Sequence, residues 1–103
     1  MRAKETRPTK QQDVLKKIYN AIARGLYRDT RHSTQRRLER GISLPDILEV
    51  LETGFHEKSK DEYRPEFKSW NYAIRGKTLD GETLRIAVYF EKNTVMIATV
   101  IRL

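Results

Sequence analysis

The residues in this chain best suited to chemistry are a histidine and a group of arginines. His32, Arg36 and Arg40 are spaced four apart, so a helix through them lines all three along one side. Histidine exchanges a proton near neutral pH and can act as general acid or base. Cleavage of RNA by its own 2′-hydroxyl needs a base for that hydroxyl. It also needs cations for the charge developing at phosphorus and a proton donor for the leaving oxygen. A histidine flanked by arginines supplies most of that set. Arg31 and Arg37 extend the basic helix and suit phosphate contacts. The competing reading of the stripe is a solvated basic face. His56, in a charged segment, is a lesser candidate for the same role.

A second group appears where the period changes from helical to alternating. In Ser69–Thr78, Trp70, Tyr72 and Ile74 fall on one face and Asn71, Arg75 and Lys77 on the other. In Thr83–Glu91, Leu84, Ile86, Val88 and Phe90 alternate with Arg85 and Tyr89. The apolar face must pack against helices, with Trp70 in the core and Ile86 and Val88 buried. An antiparallel sheet can leave its other face in water. Cations there engage phosphates and a tyrosine ring stacks on a base, so the face suits RNA. An ordinary polar face with cross-strand charge pairs reads equally well from the pattern.

The elements that must position these groups are legible along the chain. Residues 1–9 read as a flexible tail, and Thr9 with Gln12 fits a capping box opening a helix over 10–24. A basic helix follows over Thr30–Arg40, anchored by Leu38 and stopped by Gly41. Ser43, Pro45 and Asp46 open a third, which Gly54 closes. Phe55–Lys68 reads as a charged loop with a short edge strand near Phe55–Ser59. Asp80-Gly81 and Lys92-Asn93 turn the chain between the three strands, the last being Thr94–Leu103. The prediction is an α+β fold, with three N-terminal helices packed on one face of a three- to four-stranded antiparallel sheet.

Composition narrows the function classes. Residues 1–40 carry twelve Lys/Arg against four Asp/Glu, whereas residues 41–103 carry nine against ten. Positive charge gathered at one end points to a polyanionic partner, either nucleic acid or an acidic protein surface. There is no cysteine, and the two histidines lie far apart, so no metal site is expected. No phosphate-binding loop, dinucleotide fingerprint or serine elbow occurs, so no cofactor is expected. No apolar run is long enough to span a bilayer, and the expectation is a cytoplasmic protein without membrane contact.

The order of several short motifs carries a resemblance. The run from His32 through Arg36, Glu39, Arg40, Gly41 and Ile42 is similar to the small bacterial family catalogued as domain of unknown function 4258. Tyr72-Ala73-Ile74-Arg75-Gly76-Lys77, Leu84-Arg85-Ile86 and Ile97-Ala98-Thr99-Val100 continue it over about residues 30–102. The resemblance divides a single domain of residues 1–103 into the tail 1–9, an added helical segment 10–29 and a family-matching core 30–103. It implies kinship with RelE/ParE-like and colicin-type ribonuclease folds, and with toxins of toxin–antitoxin pairs. It carries His32, Arg36, Arg75, Lys77 and Thr99 over as catalytic candidates. Strict alternation does not put Thr99 on the face of Arg75, since Val95, Ile97 and Ile101 are its apolar partners, so a bulge in the last strand or a different register is required.

The expected function is therefore a metal-independent endoribonuclease toxin. Its partners would be RNA, including mRNA on the ribosome, and an antitoxin protein. Arg31, Arg37, Arg40, Arg85 and Tyr89 would contact the RNA. The alternative is a non-catalytic toxin or regulator that binds nucleic acid or protein.

Overall fold

The computed structural model describes residues 7–103; residues 1–6, most of the expected tail, lie outside the described residues. The first helix, α1, spans Val14–Ala23, four residues later than the capping-box reading. The residues meant to open it are held elsewhere. Lys10 Nζ donates to Asp61 Oδ2 at 2.9 Å, and the Gln11 amide donates to the Tyr72 hydroxyl at 2.8 Å. Asp13 then enters the helix with φ 52°, and its side chain caps nothing.

After Gly25 a short strand, β1 (Tyr27–Asp29), precedes α2 (Arg31–Glu39) and α3 (Leu44–Thr53). Thr30 caps α2 through the Ser33 amide, and Ser43 with Asp46 forms a full capping box on α3. Two short strands follow, β2 (Phe55–His56) and β3 (Glu62–Arg64). The meander then runs through β4 (Ser69–Lys77), β5 (Thr83–Glu91) and β6 (Thr94–Arg102).

The expected three- to four-stranded antiparallel sheet is corrected to a six-stranded mixed one. Its order is β1-β6-β5-β4-β2, with β3 also pairing β4. β1 runs parallel to β6, Tyr27 opposite Val95 and Asp29 opposite Ile97. β2 and β3 share the outer edge of β4 end to end, at Ile74–Arg75 and at Ser69–Asn71. Nor are the helices one N-terminal block on one face, because β1 separates α1 from α2. α2 lies along β6 instead. Thr30 donates to the Ile97 carbonyl through both N and Oγ1, at 3.2 and 2.7 Å, and Arg40 Nη1 donates to the Val100 carbonyl. The helix thereby satisfies edge carbonyls that β1 is too short to reach. A RelE-like architecture is not the one observed.

The core lies between the sheet and helices α1 and α3. Ile18, Ile47, Val50 and Leu51 meet Ile74, Leu84, Ile86, Val88, Ile97 and Val100. Ile86 and Val88 are both 0% exposed, as the alternation predicts. Trp70 sits at the core's margin, half-buried, with its Nε1–H donated to the Pro8 carbonyl at 2.8 Å and the Lys10 ammonium over its ring. Gly54 and Gly76 let α3 and β2 close onto β4. A Cβ on Gly54 would stand 2.5 Å from the Arg75 carbonyl oxygen and 2.6 Å from that of Val50.

Candidate nucleic-acid interface

The sheet face turned away from α1 and α3 is built by the pairing of three long strands. Arg75 stands opposite Arg85, and Arg85 opposite Ile101; Ala73 stands opposite Ala87, and Ala87 opposite Thr99. The step from Ala87–Thr99 to Val88–Ile97 leaves Ala98 without a partner, which is the bulge the last strand needs. Ile97 and Val100, three apart, both enter the core, and Thr99 is thereby turned onto the open face.

Two adjoining cavities occupy this face. The first, about 280 Å³, has a floor of Ala73, Ala87 and Thr99 and cationic walls of Lys60, Arg64 and Arg85, with Glu62 also lining it. The second, about 350 Å³, is lined by Phe67, Ser69, Asn71, Tyr89 and Glu91; Arg64 and Asn71 belong to both. Small side chains make the floor, so an extended backbone can lie against the strands while cations reach its phosphates. Burial, together with the charge of Glu91, raises the pKa of Tyr89, so its phenol remains a proton donor at neutral pH.

Glu57 tempers the charge. It follows β2, and its carboxylate accepts from Arg85 Nε at 2.7 Å and from Arg75 Nη1 at 3.3 Å. The hydrogen bond from Arg85 is the main cause holding its pKa below the usual carboxylate range. Lys77, at the exposed end of β4 opposite Thr83, lines neither open-face cavity.

α2 stands at the rim. Its first turn is tied to Ile97, the residue before the bulge, and His32 lies two residues beyond that tie. His32 is exposed, makes no hydrogen bond among the described residues, and lines neither open-face cavity. Arg36 pairs with Glu39 at 3.1 Å. Arg37 donates from Nε to Asp29 Oδ2 at 2.7 Å, where Thr34 Oγ1 also donates at 2.7 Å. Burial raises the Asp29 pKa, but Ser33, Arg37 and Thr34 beside the carboxylate outweigh it and hold the pKa below its ordinary value. Arg37 and Arg40 thus tie α2 to β1 and β6, and Arg31 is left exposed at the helix start.

A polar cluster on the helical side holds Asp61 and Lys10, which sequence reasoning misses, together with His56, its lesser candidate. The Asp61 carboxylate, 0% exposed, accepts from His56 Nε2 at 2.8–2.9 Å, from Lys10 Nζ at 2.9 Å and from the Ala73 amide at 2.9 Å. His56 also meets the Tyr72 ring edge-on at 5.7 Å. The cluster fastens residues 9–13 to β2 and β4. Lys60, Arg64 and Phe67 fall in the expected charged loop and Glu57 in its expected edge strand; the alternation Glu62-Tyr63-Arg64 hints at a further strand, but three residues are too few to register.

No helix among the described residues is long and apolar enough to cross a membrane. No curated protein and no solved structure matches the chain. The family model described as "Domain of unknown function (DUF4258)" matches residues 30–102, from the cap of α2 through the end of β6. That match takes in every element lining the open face together with the helix at its rim, and the chain belongs to this family.

Proposed function

We propose that the open sheet face binds single-stranded RNA and that the protein is an RNA-cleaving toxin of a toxin–antitoxin pair. The mixed sheet departs from the RelE-like fold, so kinship with RelE/ParE toxins adds nothing to this reading, which rests on the site. The observation that carries it is the bulge at Ala98, which turns Thr99 into a cationic cavity on the open face. Arg85, Lys60 and Arg64 take phosphate charge, the Thr99 hydroxyl orients a phosphate oxygen, and His32 transfers the proton from the rim. Arg75, half-exposed and shared with Glu57, adds long-range attraction.

A short single-stranded RNA incubated with the protein tests this, with His32→Ala and Arg85→Gln alongside. His32→Ala should lower the cleavage rate roughly 10²–10⁴-fold. Its melting temperature should hold, since an exposed position is worth within about 0.5 kcal/mol. Parental cleavage by His32→Ala removes histidine from the mechanism. A second reading, a toxin that binds RNA without cutting it, is favoured by His32 lining neither open-face cavity. Growth arrest with intact transcripts would establish that reading instead.

A further inference from the structure

The second open-face cavity differs from the first in kind. Its walls are Phe67 and Tyr89, its polar groups are Asn71, Ser69 and Glu91, and the only cation lining it is Arg64. The Arg64 guanidinium is doubly held. It lies 5.7 Å from the Phe67 ring centroid, and its Nε donates to Glu66 at 2.9 Å. Phe67 is 70% exposed although it sits on a short turn between two strands, a position where an apolar ring gains nothing from the core. The side chain of Asn71 makes no hydrogen bond among the described residues, and its carboxamide offers a donor and an acceptor side by side. A carboxylate, a carboxamide and the rings of Phe67, Tyr89 and Phe90 do not suit a phosphate. They suit a flat, neutral heterocycle with polar edges.

We propose that this cavity is a nucleobase pocket that selects adenine, taken from the nucleotide next to the phosphate held in the cationic cavity. The inference rests on the reading of the open face as an RNA site and adds the substrate's identity to it. Phe67 and Tyr89 supply the stacking surfaces. Asn71 pairs with the adenine edge, its carbonyl accepting from the exocyclic amine and its NH₂ donating to the ring nitrogen, the pairing by which asparagine reads adenine. Glu91 lies at the same wall and discourages a second phosphate. Arg64 and Asn71, common to both cavities, set the base and the phosphate one nucleotide step apart. The pocket's volume of about 350 Å³ falls at the small end of ligand cavities, which suits a single base.

Short 2′-O-methyl oligo(A), oligo(C) and oligo(U), which lack the attacking hydroxyl, measure binding without cleavage. The parental protein should bind oligo(A) about 10-fold more tightly than oligo(U). Phe67→Ala, at an exposed position that leaves the fold intact, should weaken oligo(A) binding about 10-fold. Asn71→Asp keeps the shape but removes the donor, and should abolish the preference for oligo(A). Equal binding of all three oligomers, unchanged by Phe67→Ala, overturns the pocket; if Arg85→Gln still weakens every oligomer, the RNA reading of the face survives. If Arg85→Gln changes nothing either, the face itself is wrong.

Discussion

Glu57 shows how one carboxylate sets the strength of the whole face. It holds Arg75 and Arg85 at once, so neither arginine offers its full charge to a phosphate. Glu57→Gln should release about one cation and raise RNA affinity roughly 5-fold near 0.1 M salt. Weaker binding in that variant would show that Glu57 chiefly aims the arginines. Asp29 carries a pH signature. Its folded pKa lies below the ordinary value, so the stability it confers is present above about pH 4 and is lost as pH falls through the folded pKa. Asp29→Asn should cost about 2 kcal/mol at pH 7. In thermal melts the gap from the parental protein should narrow steadily towards pH 3. Arg75, Arg85 and Tyr89 were legible on the open face because period-two alternation needs no register. Thr99 was not, since its face depends on the one residue that the β5–β6 ladder skips.

Among the elements, the crossing of α3 and β2 over β4 is the tightest. Backbone atoms surround Gly54, so an added methyl has no flexible neighbour to displace. Gly54→Ala should destabilise by about 2–3 kcal/mol. A melting temperature about 10 °C lower is the expected readout. Because β2 also carries the chain into Glu57, the same variant should loosen the clamp on Arg85. The long helices and long strands could be read from the sequence because caps, turns and periodicity agreed there. Of the three short strands, only the edge strand β2 could be read, within the expected Phe55–Ser59. β1 and β3 have three residues each, too few for alternation to show, and β1 is defined only by a partner far along the chain. The start of α1 was misplaced for a related reason, since Lys10 and Gln11 are drawn off by Asp61 and Tyr72.

At the scale of the whole molecule, charge is less lopsided than its sequence distribution implies. Arg37 and Arg40 are engaged by Asp29 and the Val100 carbonyl and tie α2 in place, and Arg36 pairs with Glu39 within the helix, so part of the N-terminal excess serves the fold. The cations lining the first open-face cavity are Lys60, Arg64 and Arg85, all from the second half. Three phosphate contacts predict a roughly 20-fold loss of RNA affinity between 50 and 200 mM salt. A change below threefold in a binding titration would exclude a phosphate-dominated interface.

The pairing of β1 with β6 has a consequence for how the molecule is made. Thr30 and Ile97 are 67 residues apart, yet their bond fixes where α2 begins. On a growing chain, β1 and α2 are synthesised early and have no strand to dock on until β6 follows. Closing so long a loop is slow, and nothing at the rim rewards it beforehand. The start of α2 and the bulged strand β6 therefore come together in one late step. A ribosome part-way through the message carries a basic helix and half a sheet, but not the finished open face.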